Sequence, residues 1–259
     1  MRPRIEYART VKVAREVLAK YPPEWQKVQG HRIPQFAKEI SLIYKSGGTV
    51  VDLGGGDGLR SAICVGLGMK AYNVDAYRVL AADGDYMHQG FKEQWDAAVE
   101  TGRKIGVEFV NQDVLGWRTN LPQVDVVMSF DSMEHWQNSP RALFKHLVEK
   151  LPHGGMLFIG VPNAANISKR LRVLMGRNVF STMDDWYYTQ SFAGHVREPV
   201  VADLRVIARD LDLKAEVFGG NWIGLHQLRG LGPVAGVADR MLRTFPSLCS
   251  DIYLLGEKR

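Results

Sequence analysis

The chain of 259 residues is 46% hydrophobic and 24% charged, ordinary for a globular enzyme and enough for one large α/β domain or two small ones with an ample core. A net charge of +5 allows anionic partners without implying them. Two distant cysteines, Cys64 and Cys249, exclude a disulfide framework and a cysteine-pair metal site, and no apolar run is long enough to span a bilayer.

Arg2, Arg4 and Glu6 leave the first residues without an apolar signal core, so the expected location is cytoplasmic. Residues 1–48 predict a helical extension ahead of the first strand. Val11, Val13, Val17 and Leu18 form one amphipathic stripe, which Tyr21-Pro22-Pro23 terminates. Phe36, Ile40 and Ile43 share a face of a second helix running from about Pro34 to Tyr44. Most of this extension is expected to pack on the sheet.

The next stretch, Val50-Val51-Asp52-Leu53-Gly54-Gly55-Gly56-Asp57-Gly58, reads as a buried strand, a tight turn and the start of a helix at Leu59. Glycines there admit positive φ and let a ligand lie on main-chain N–H groups. A dinucleotide fingerprint counted from Gly54 needs its third glycine at Leu59, so the nicotinamide register fails.

Lys70 to Asp75 is a short second strand ending in a carboxylate, placed to accept bonds from ribose hydroxyls. A helix is expected from about His88 to Lys104. A third strand runs from Val107 into Asp113, and a fully buried one, Val124 to Phe130, delivers Asp131-Ser132-Met133-Glu134-His135-Trp136. The Pro140–Lys150 helix turns Ala142, Leu143, Leu147 and Val148 inward, and Met156–Val161 is the next buried strand. This alternation predicts a doubly wound parallel sheet, with Asp52, Asp75, Asp113 and Asp131 lining the edge where such sheets bind ligands.

Residues 164–199 break the alternation. Lys169, Arg170, Arg172 and Arg177 mix with apolar residues, then come Trp186-Tyr187-Tyr188 and Gly194-His195-Val196-Arg197-Glu198. Two readings stand side by side: a solvated helix face, or a lid whose aromatics stack on sugar or phenol rings. A helix from Val200 to Leu211, a strand from Lys214 to Phe218, an insertion from Gly219 containing Leu231-Gly232-Pro233 and a last strand from Asp251 close the chain. No repeat or linker interrupts it, so one domain over 1–259 is expected. Of seven histidines, His31, His88, His146, His153 and His226 read as surface or packing residues, while His135 is expected to point into the cleft and His195 to sit in the lid segment.

Asp52-x-Gly54-x-Gly56-x-Gly58 resembles the first motif of class I methyltransferases that use S-adenosylmethionine (SAM). Leu151-Pro152-His153-Gly154-Gly155 and Val161-Pro162-Asn163 are similar to that family's later signatures, so the resemblance covers Val50 to Asn163. Acid, two residues, then Glu134-His135 resembles the ubiquinone-biosynthesis O-methyltransferases, with Asp131 where those carry Glu. Gly194-His195-x-Arg197 resembles bacterial O-methyltransferases of glycan and natural-product assembly.

The resemblance implies a Rossmann-like, seven-stranded, mostly parallel sheet with helices on both faces and its last strand antiparallel. It implies SAM held by Asp52, Gly54, Gly56, Gly58, Asp75 at the ribose, Asp113 at the adenine amino group, and Val114 and Phe130. It further implies methyl transfer to a hydroxyl of a small molecule or glycan, with Asp131, His135 and His195 as catalytic residues. Mg²⁺ or Mn²⁺ on Asp131, Glu134 and His135 is one option; the other is His135 as base without metal, Glu134 capping the helix start. The basic balance keeps a nucleic-acid methyltransferase in view, but Asp131-Ser132-Met133-Glu134 is not the Asn/Asp-Pro-Pro-aromatic phrase of the amino-methylating enzymes. A non-enzymatic SAM-binding scaffold is the remaining alternative.

Overall fold

The computed structural model describes residues 4–76, 89–121, 123–188, 192, 194–220, 241 and 243–259. Three helices lead: α1 (Tyr7–Leu18), α2 (Pro23–Gln29) and α3 (Ile33–Ile43). There follow β1 (Thr49–Leu53), α4 (Leu59–Gly66), β2 (Lys70–Asp75), α5 (Gln89–Ile105), β3 (Glu108–Asn111), β4 (Val126–Phe130) and α6 (Arg141–Lys150). After β5 (Met156–Pro162) come α7 (Ile167–Leu174), a short α8 (Met183–Trp186), α9 (Val201–Asp210), β6 (Leu213–Gly219) and β7 (Asp251–Lys258).

The seven strands form one sheet in the order β3-β2-β1-β4-β5-β7-β6. β1 to β5 pair in parallel, and β7 runs antiparallel between β5 and β6. The doubly wound expectation is met. Successive strand residues point to opposite faces, so Val50 and Val51 feed two separate cores. One core joins Val50, Met128 and Phe158 to Trp25, Phe36 and Ile63 from the leading helices and α4. The other joins Val51, Val127 and Leu157 to Leu143, Phe144 and Leu204 from α6 and α9.

Several local expectations shift. The prolines after Tyr21 end α1 but also open α2, because a first-turn proline gives up an N–H that has no helical partner anyway. In α6, Ala142 is exposed and Phe144 turns inward in its place. Phe144→Ala is therefore expected to destabilise the chain by about 3–5 kcal/mol in denaturant titration, where Ala142→Ser changes little. β4 starts at Val126 rather than Val124, and β3 stops at Asn111, which leaves Asp113 in the following turn. Residues 221–240, with Leu231-Gly232-Pro233 and His226, lie outside the described residues, as does His88.

Candidate active site

The turn after β1 is built by backbone geometry that side chains resist. Gly54 has φ +68°, and a Cβ on it would stand 1.8 Å from the Ser132 hydroxyl oxygen. Gly58 has φ +74°, and its Cβ would meet the Phe109 ring at 2.5 Å. Both positions therefore require glycine, and the main chain stays bare where a ligand approaches. Gly54→Ala is expected to weaken S-adenosylhomocysteine binding measured by calorimetry; an unchanged affinity would show that the Ser132 contact relaxes at no cost.

Asp52 does not open into the cleft. It lies beneath the turn at 1% exposure and accepts a 2.9 Å bond from the Ser61 hydroxyl. Asp75 at the end of β2 accepts the Gly56 N–H at 2.9 Å, which ties strand end to turn. Burial raises its carboxyl above the ordinary range. Asp113 is exposed and accepts the Gly116 N–H at 3.1 Å. Val114 is buried among core residues, and Phe130 packs edge-on against Phe158 at 4.9 Å.

The sequence pattern did not single out Asp57, yet the leading helices reach it. Its carboxylate accepts the Trp25 indole N–H, the Gln29 amide at 3.3 Å and the Leu59 N–H at 3.0 Å. α2 thus sits on the glycine turn. An isolated Trp in a helical segment carries no local signal for that role.

Asp131 is turned by a left-handed backbone, φ 52°, toward two cations. Its carboxylate pairs with Arg32 at 2.5 Å and Arg60 at 3.2 Å. Arg60 lies between the Phe36 and Phe130 rings, at 4.2 and 4.8 Å, and also bonds Glu39 at 2.9 Å. These two arginines hold the Asp131 carboxyl below the usual range against the opposing effect of burial.

Asp131 therefore does not join Glu134 and His135 as the acid-x-x-Glu-His spacing suggested. The group that closes is Glu134, His135 and His195, whose ligand atoms all lie within 4.8 Å of one another. The Glu134 carbonyl accepts the N–H groups of Val196 at 2.7 Å and Arg197 at 3.1 Å, which pins the distant segment down. The His135 and His195 rings meet edge to face at 4.8 Å. His195 Nδ1 bonds Glu198 Oε1 at 2.6 Å, and Glu198 also takes Lys169. Glu198 raises the His195 imidazole above its ordinary value, and the bonds with His195 and Lys169 lower Glu198 although its burial opposes. The Glu134 Oε2 atom is buried with no hydrogen-bond partner among the described residues.

Burial is the largest cause pushing Asp52, Glu134 and Asp251 each up to about 7. The folded chain keeps those protons where the unfolded chain has released them. Their stabilising effect is full below about pH 4 and lost as pH rises toward 7, and the raised His195 acts in the same direction. Melting of the unliganded protein is expected to move to lower temperature between about pH 5 and about pH 7.5; a rise would contradict these shifts.

The family profile described as a methyltransferase domain matches residues 25–216. The chain belongs to that family. It is a class I, SAM-dependent methyltransferase. No curated protein matches the sequence significantly. Solved structures with the same fold include a cyclopropane-fatty-acyl-phospholipid synthase-like protein from Lactobacillus casei, 12% identical, TM-score 0.59, covering 95% of this chain and 99% of that one. A Haloferax volcanii putative methyltransferase, solved with its Trm112 activator, is 16% identical with TM-score 0.57 over 94% and 97% of the two chains. A possible histamine N-methyltransferase from Thermotoga maritima is 14% identical with TM-score 0.55 over 94% and 99%. At these identities the likeness is one of fold. Among the described residues, no helix of the methyltransferase is long and apolar enough to cross a membrane.

Proposed function

We propose that this methyltransferase moves the SAM methyl group onto a hydroxyl oxygen of a small-molecule or sugar acceptor, with His195 as the general base. The observation that carries this reading is the His195–Glu198 pair at 2.6 Å, set beside Glu134 and His135 beyond the carboxyl end of β4. SAM supplies an electrophilic methyl group. The Gly54–Gly58 turn lies under its methionine and ribose portion, Asp75 takes the ribose hydroxyls, and Asp113 takes the adenine amino group. A turn whose glycines leave no side chain in the way, beside a buried strand-end carboxylate, suits such a nucleoside ligand.

A hydroxyl is a poor nucleophile while it holds its proton. With Nδ1 engaged by Glu198, His195 presents Nε2 to take that proton, and Glu198 steadies the imidazolium that results. Asp131 acts through Arg32 and Arg60 and holds the strand end in place, so the catalytic role passes from it to His195. Incubation with candidate hydroxyl acceptors, following SAM consumption by mass, tests the reading. Turnover on amine acceptors alone would overturn it.

A second reading keeps the same residues and adds a metal on Glu134, His135 and His195. It is favoured by the unpartnered Glu134 Oε2 and by Glu198 standing behind His195, as carboxylates stand behind metal-bound imidazoles. Two imidazoles and one carboxylate suit Mn²⁺ or Zn²⁺ better than Mg²⁺. Mn²⁺ titration followed by electron spin resonance, beside activity after exhaustive chelation, separates the two readings. Full activity in the chelated enzyme with no bound Mn²⁺ signal removes the metal.

A further inference from the structure

The Ser132 hydroxyl takes no part in the chemistry proposed above, yet it touches the glycine turn. Ser132 follows Asp131 beyond the carboxyl end of β4 and is buried. A Cβ on Gly54 would fall 1.8 Å from the Ser132 Oγ and 2.6 Å from its Cβ, so Ser132 fills the space that a side chain there would need. Two bonds fix it in this place. The Oγ accepts the Trp136 indole N–H at 3.1 Å, and the Ser132 carbonyl accepts the His135 N–H at 3.0 Å. The Trp136 ring in turn packs 5.9 Å from the Phe144 ring of α6. The Ser132 hydroxyl hydrogen, by contrast, goes to no acceptor among the described residues. Buried polar groups are ordinarily satisfied, because a bond left unmade there costs its full desolvation. Accepting from Trp136 also polarises the O–H and makes it a better donor.

Strand order selects the group in front of that hydrogen. In the placement proposed above, the ribose lies at Asp75, which ends β2, and the adenine at Asp113, which follows β3. The sheet runs β3-β2-β1-β4, so the nucleoside occupies the β2 side of the glycine turn. The amino-acid portion of the cofactor then crosses the turn after β1 toward the end of β4. Ser132 stands at that end. The amino-acid portion carries an ammonium, which only donates, and a carboxylate, which only accepts. The unspent hydrogen matches the carboxylate.

We propose that Ser132 donates a hydrogen bond to the carboxylate of SAM, and that Trp136 is the positioning residue that aims it. This rests on the placement of SAM over the Gly54–Gly58 turn and not on which acceptor is methylated. The test is calorimetry of the full chain with S-adenosylhomocysteine and with its decarboxylated analogue, which keeps the nucleoside, the thioether and the ammonium. Ser132→Ala is expected to weaken S-adenosylhomocysteine by roughly tenfold or more, as for a bond to a charged group, and to leave the analogue unchanged. Trp136→Phe keeps a ring and loses the N–H, and is expected to show the same selectivity with a smaller loss. Ser132→Ala decides where melting curves show it folded; otherwise Trp136→Phe decides. Unchanged S-adenosylhomocysteine affinity in the deciding variant overturns the proposal. An equal loss for both ligands also overturns it, since that marks a structural role. Asp75→Ala tests the placement separately and is expected to weaken both ligands alike. If it weakens neither, the ribose placement fails, while the Ser132 comparison is still read from the carboxylate alone.

Discussion

His195→Ala is expected to lower methyl transfer to a hydroxyl acceptor by about 10²–10⁴-fold, the span that a positioned general base contributes. S-adenosylhomocysteine affinity is expected to stay unchanged, because the glycine turn and Asp75 belong to other strand ends. The pH profile adds a check that a merely structural role does not pass. The base works neutral, so the rate climbs as pH rises through the His195 pKa, which Glu198 raises. Glu198→Gln removes that cause and is expected to move the climb to lower pH while reducing the maximum rate. An unchanged profile in Glu198→Gln, or full turnover in His195→Ala, rules His195 out as the base. His135, across the edge-to-face contact, is then the group to replace next.

Arg60→Met is expected to cost about 3–5 kcal/mol of stability, the range for removing one partner from a buried ion pair. The guanidinium side chain is 13% exposed and Glu39 is 4% exposed, so Glu39 is left a buried anion without its cation. Gln35 at 2.9 Å and the Tyr253 hydroxyl at 2.7 Å still bond Glu39, but neither carries charge. The Asp131 side is worth less, since that carboxylate is 39% exposed and keeps Arg32. The melting temperature is expected to drop on the order of 10 °C. The double change Arg60→Met with Glu39→Gln is expected to recover part of the loss, because it removes the stranded charge. A single variant that melts with the wild type would show that water reaches Glu39 freely.

These two clusters explain why one strand end serves two purposes. β4 delivers Asp131 to the cations of the leading helices and, three residues later, Glu134 to the histidines. Asp131 has a left-handed φ of 52°, outside the helical register that a shared face would need. The resemblance of acid-x-x-Glu-His to the ubiquinone-biosynthesis enzymes is what grouped them in the sequence.

By itself the sequence determined the succession of strands and helices, the glycine turn after β1 and the carboxylates near the strand ends. Each of these is a local property. Alternation of period two or near four, a glycine tolerating positive φ and a proline stopping a helix are all settled within a few residues. Only the tertiary structure decided which distant groups meet. His195 joins Glu134 and His135 because backbone bonds from Val196 and Arg197 bring its segment onto the Glu134 carbonyl. Trp25 reaches Asp57 because α2 packs over the turn, and Arg60 finds Glu39 because α3 lies against α4. Such pairings follow from how the two cores close on the sheet, a competition among many apolar contacts that no short stretch of sequence records.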